Sequence, residues 1–140
     1  MYAVAADLER AYGRETIERL STSDEDPDGS ERTAEALAHA RSVVDAHLST
    51  RFRLPLPHVP DLLRAIAADL AVARLAVAAD QLIELYQGRE KRALADLERI
   101  AAGKMNLGLP ELDAPAAGGP RPVFGPGGSK LFTRDSLRSL

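Results

Sequence analysis

A chain of 140 residues is one domain's worth of polypeptide, enough for a modest core but not for two. With no cysteine, disulfides and thiolate metal sites are excluded, and the composition fits a reducing cytoplasm. A formal net charge of −3 argues against general binding to the DNA backbone and suits a protein–protein or small-molecule role.

The apolar residues are mostly Ala and Leu with few aromatics, a composition that favours helices packed closely on small side chains. The chain does not open with a basic region followed by an apolar run, so no secretory signal is expected there. Met1 to Leu20 reads as a helical hairpin or a kinked helix. Leu8 and Tyr12 share one stripe, Ile17 and Leu20 another, and Gly13 separates the halves.

Ser21 to Ser30, STSDEDPDGS, is an acidic loop. Asp24, Asp26, Asp28 and Gly29 match the opening of a D-x-D-x-D-G calcium loop, and Glu35 falls where the bidentate carboxylate would sit. Alternate carboxylates around a tight glycine turn can wrap a hard cation with oxygen. Glu31 replaces the usual aliphatic residue, however, Pro27 stiffens the turn, and no second loop pairs with this one. The competing reading is a solvated turn whose Asp28 or Ser30 caps the next helix.

Glu31 to about Arg51 carries an apolar stripe, Leu37, Ala40, Val44 and Leu48, and predicts a long helix. It runs into the elbow Leu54-Pro55-Leu56-Pro57-His58-Val59-Pro60. Three prolines there force an extended, stiff connection, and Pro60-Asp61 suits a helix start. The next helix, Asp61 to about Ala79, is apolar nearly all round. Leu63, Ile66, Leu70 and Val77 mark one side, and Val72, Leu75 and Ala79 another. Such a helix is expected to be covered on several faces, by its own chain or by neighbouring subunits. Its Asp69 and Arg74 exclude an ordinary membrane span. After a break near Asp80, a last helix with Leu94, Leu97, Ile100 and Ala101 on its core face runs to Ala102, and Gly103 follows as its C-cap.

From Lys104 the composition turns Pro- and Gly-rich and ends in Leu131-Phe132-Thr133-Arg134-Asp135-Ser136-Leu137, an apolar pair followed by a capped turn. The expected fold is therefore all-α: about four main helices with a rigid elbow in a bundle over residues 1–103. An extended arm over residues 104–140 would finish in a short anchor helix. Convergent catalytic groups are not evident. His39, His47 and His58 lack metal-ligand spacing, no serine lies in a G-x-S-x-G context, and Gly125 to Lys130 lacks phosphate-loop spacing. Neither an enzyme nor a cofactor is expected.

Four segments together resemble one family. They are Met1-Tyr2-Ala3 with Ala6-Asp7-Leu8 and Tyr12-Gly13; Asp45 with Leu48, Arg51, Phe52, Leu54-Pro55-Leu56 and Val59-Pro60; Ile100 to Lys104 with Leu107-Gly108-Leu109; and Phe132 to Leu137. In this order they resemble the small head–tail joining (adaptor) proteins of Mu-like tailed bacteriophages.

That resemblance implies a helical bundle assembling as a ring, commonly of twelve copies, beneath the portal protein in the virion neck. Such a ring extends the DNA channel and offers a platform to a stopper or tail-terminator protein. DNA would pass through the lumen without specific binding, its approach to the wall discouraged by negative charge, and no membrane is involved. On this reading the contacts with portal or neighbouring copy would come from Leu54, Pro55, Leu56, Pro57, His58 and Val59 in the elbow, and from Phe124, Leu131, Phe132, Arg134 and Leu137 in the arm. The alternatives are a calcium-responsive or regulatory helical binding module and a DNA-binding regulator, the last lacking a visible basic recognition helix.

Overall fold

The structure, a computed structural model, describes residues 1–112. Among them are five α-helices: α1 (Ala5–Tyr12), α2 (Arg14–Ser21), α3 (Ser30–Leu48), α4 (Asp61–Ala78) and α5 (Glu84–Ala101). The fold is all-helical, as expected. The N-terminal unit is two helices because Gly13 takes φ 92, a backbone state that a side chain would strain, and so breaks the rod after Tyr12. Asp7 caps α1 by accepting the Val4 N–H at 2.9 Å, and this bond holds its carboxyl below the usual carboxylate range.

Helix ends follow the local chemistry. At the start of α3, Gly29 stands at φ 72, and a Cβ built there would lie 2.2 Å from the Ser21 hydroxyl, so only glycine fits. Asp26 accepts the Arg32 N–H at 2.9 Å and Asp28 the Ser30 N–H at 3.0 Å. Pro60 opens α4 in an extended conformation. α4 and α5 end in the same way. In each, the residue after the C-cap (Asp80 or Gly103) has positive φ, and the next N–H reaches back: Gln81 to the Ala76 carbonyl, Lys104 to the Arg99 carbonyl, both at 2.8 Å.

α3, α4 and α5 run antiparallel in turn, so the end of α3, the start of α4 and the end of α5 share one end of the bundle, the elbow end. α4 is central and touches each of the other four helices. Leu63, Ile66, Leu70, Val72 and Leu75 are all buried. Its apolar circumference is thus covered within the chain, and the expectation that neighbouring subunits might cover it is unnecessary. Val77, expected on a core side, is 50% exposed: it shares the open face of α4 with exposed Arg74 and Ala78, while Leu75 and Ala76 beside it are buried.

Residues beyond Gly103 stay on the bundle as far as the structure describes them. Leu109 is buried, and Met105 and Leu107 pack against the core.

A candidate docking surface at the elbow end

Phe52, the first residue to pack after α3, is fully buried, which fixes where the elbow begins. From there the apolar residues alternate inward. Leu54, Leu56 and Val59 are half-buried against the core, while Pro55, Pro57 and His58 are exposed. The six elbow residues singled out in the sequence thus divide. Three anchor the loop and three present it. The Leu54–Pro55 peptide is cis.

Arg51 clasps this end together. Its guanidinium forms an ion pair with the Glu111 carboxylate, donates to the Ile100 carbonyl at the end of α5, reaches the Met105 carbonyl at 3.4 Å, and lies 5.3 Å from the Phe52 ring centre. A cation against the carbonyl end of a helix is favoured by the helix dipole. The Leu112 N–H donates to the Arg51 carbonyl at 2.8 Å, and Phe52 and Glu111 form an isolated antiparallel bridge. A single charged residue thus joins α3, α5 and the chain that follows α5. Sequence reasoning gave Arg51 no role, because its partner lies sixty residues on and no local pattern links the two.

The N-terminus is held at the same end. Tyr2 is buried and its hydroxyl donates to Asp45, whose other oxygen lies 3.6 Å from Arg41. Burial first, then the neighbouring Asp45 charge, pushes the Tyr2 phenol well above its usual value. Met1, Tyr2, Asp45, Leu54 and Pro55 line a groove of about 300 Å³ on one side of the elbow. On the other side of Pro55 a second groove, of about 230 Å³, is lined by Arg53, Pro57, Pro110, Glu111 and Leu112. Residues from three of the four segments that carried the resemblance (Tyr2; Asp45, Arg51, Leu54 to Leu56 and Val59; Ile100 and Leu109) therefore meet here, although they are distant in sequence.

A second polar cluster fastens α1 to the core. Tyr12 donates to Asp69 at 2.6 Å, the Arg89 guanidinium lies 4.9 Å from the Tyr12 ring centre, and Tyr86 packs 6.0 Å away. Burial raises Asp69 above the usual carboxylate range, opposed by the Tyr12 bond and by Arg89 and Arg92. Burial and Asp69 together raise Tyr12. Asp69 is thus paired with the Tyr12 hydroxyl and lies 4.0 Å from the Arg89 guanidinium.

The acidic loop does not assemble the expected cation site. Among the described residues, no three histidine or acidic side chains lie in a group able to hold a metal. Of Asp24, Asp26, Asp28 and Glu35, Asp26 and Asp28 are committed to backbone N–H groups at the start of α3, so the capping reading applies. His39 and His58 are exposed, and His47 sits 2.9 Å from the Val43 carbonyl on its own helix. No helix among the described residues is long and apolar enough to cross a membrane. Phe124, Leu131, Phe132, Arg134 and Leu137 lie outside the described residues.

A model of the family described as Bacteriophage Mu, Gp36 matches residues 2–123. Comparison with curated proteins gives no match.

Proposed function

The chain belongs to the bacteriophage Mu Gp36 family, and from that premise we propose that it is a structural, non-catalytic connector of the phage neck. In this reading, copies form a ring beneath the portal protein, extend the DNA channel and present a platform to the stopper or tail-terminator protein. The DNA crosses the lumen without being specifically bound.

The observation that carries the proposal is the elbow end. Residues from distant parts of the chain are spent on stiffening one loop: Tyr2 on Asp45, Arg51 on Ile100 and Glu111, and Leu54, Leu56 and Val59 on the core. The loop so held exposes Pro55, Pro57 and His58. A pre-ordered loop loses little conformational freedom on docking, which suits a component that must be captured in one geometry. The elbow end is then the face through which each copy is held in the assembly.

Co-sedimentation with the cognate portal ring, with mass measured by light scattering, tests this. One copy bound per portal subunit is the expected result. A chain that stays free of the portal at saturating concentration overturns the connector role.

A further inference from the structure

The two ends of the bundle differ in charge. Opposite the elbow, a cleft of about 380 Å³ is lined by Ser23, Glu25, Asp26, Glu31, Arg32 and Glu35. Asp26 is committed to the α3 backbone, but Glu25, Glu31 and Glu35 form no ion pair among the described residues and are exposed. An acid in the first turn of a helix is accounted for by the helix dipole, which covers Glu31. It does not cover Glu25 in the loop or Glu35 in the second turn. At the elbow end, Arg53 and Lys104 are exposed and form no ion pair or side-chain hydrogen bond among the described residues. Each end also carries exposed apolar residues. Val77, Ile83 and Leu85 stand at the acidic end, each about half exposed, and Leu112 stands beside Arg53 at 47%.

We infer that neighbouring copies associate head to tail, the Arg53 side of one elbow entering the cleft formed by Glu25, Glu31 and Glu35 of the next copy. The inference rests on the proposed ring and names the partner of its elbow face: a second copy of this chain. The two surfaces are complementary in sign, so Coulomb attraction draws them together and sets their register. The contact is heterologous, since each copy offers a different face to each neighbour. Repetition of such a contact closes into a ring when the rotation per step divides a full turn.

Charge exchange tests it. Glu25→Lys with Glu35→Lys makes one variant and Arg53→Glu with Lys104→Glu the other, all at exposed positions. Each is examined by sedimentation velocity at low salt, with helical content checked by circular dichroism. The wild type is expected to self-associate, and either variant alone to need at least tenfold higher concentration. An equimolar mixture should recover the wild-type behaviour, because each variant then meets an opposite charge on both faces. As a measurement independent of any variant, wild-type association should weaken about tenfold between 50 mM and 500 mM NaCl. A wild type that stays monomeric at millimolar concentration and low salt, variants that associate as the wild type does, or a mixture that fails to recover overturns the head-to-tail contact. Portal co-sedimentation of the same variants separates the two ideas. Portal binding with no charge-exchange effect leaves the connector role standing and removes this contact. Recovery in the mixture without portal binding does the reverse.

Discussion

The Arg51 guanidinium meets the Glu111 carboxylate across sixty residues of sequence, with Nε 3.2 Å from Oε1, at the one point where α3, α5 and the following chain come together. Replacing Arg51 by Ala leaves Glu111 and the Ile100 carbonyl without their donor in a partly buried setting. The expected cost is about 2–4 kcal/mol of unfolding free energy, measured by urea denaturation. Arg51→Lys should recover only part of it, since an ammonium does not reproduce the fork that reaches carboxylate and carbonyl together. A loss below about 0.5 kcal/mol for the alanine variant would show that the clasp contributes nothing.

Gly29→Ala is expected to cost about 3 kcal/mol. Two causes add: φ 72 disfavours a side chain, and the new Cβ would meet the Ser21 hydroxyl at 2.2 Å and its Cβ at 2.8 Å. A Ser21→Ala background removes only the hydroxyl, so thermal unfolding of the double variant should show partial relief of the Gly29→Ala loss, the Cβ contact and the backbone strain remaining. Full recovery would place the whole effect in the hydroxyl clash.

Both Tyr2 and Tyr12 have phenols raised above the ordinary value, chiefly by burial. A folded-state value above the unfolded one means that the native state holds the proton more tightly. The associated stability is complete below about pH 10 and is lost as the pH rises beyond it. Chemical denaturation at pH 9 and pH 11 should show a decline, and Tyr2→Phe with Tyr12→Phe should flatten it. An equally steep decline in the double variant would assign the alkaline loss to other groups.

Asp69 is displaced in the same upward sense, with burial the leading cause. Its contribution to stability is fully present below the ordinary carboxylate range and is lost as the pH rises through its raised native value. Asp69→Asn, which keeps an acceptor for Tyr12, should change stability at pH 7 by less than about 1 kcal/mol. Asp69→Ala, leaving the Tyr12 hydroxyl without an acceptor, should cost about 1–3 kcal/mol. Equal losses in both variants would mean that the charge itself holds α1.

Two substitutions on α4 separate its covered face from its open face. Leu70→Asp puts an unpaired charge at a buried position and should abolish folding, as read from circular dichroism. Val77→Asp, at a half-exposed position two turns on, should stay within about 0.5 kcal/mol of the wild type. An unfolded Val77→Asp would mean that this face of α4 is packed after all.

Periodicity in the sequence was enough to locate α3 and α4, because Leu37, Ala40, Val44 and Leu48 fall at helical spacing and the proline elbow punctuates the chain between them. Gly13 and Gly103 were legible as breaks for the same reason: only local backbone rules are involved. How α4 is covered was not legible, since an apolar circumference looks the same whether a neighbouring helix or a neighbouring subunit buries it. At the elbow, the composition Leu-Pro-Leu-Pro-His-Val marked a stiff loop, but not that Leu54, Leu56 and Val59 turn inward while Pro55, Pro57 and His58 turn outward. Arg51 with Glu111, and Tyr2 with Asp45, are pairings made by tertiary folding, and no spacing rule joins their members. The acidic loop misled through composition. Asp26 and Asp28 have the spacing of cation ligands, yet the nearest donors to them are the N–H groups of α3.

The bridge between Phe52 and Glu111, with the Leu112 N–H on the Arg51 carbonyl, also decides how the domain would bear tension. A pull on residue 112 is received first by that backbone bond and the Arg51–Glu111 pair, at the edge of the molecule. Most of the packing among the three long helices lies elsewhere, along α4, so their buried leucines would be loaded only after the edge had given way. Strain entering through the following polypeptide is thus spent on a few replaceable polar bonds, and the core keeps its shape while they yield and re-form.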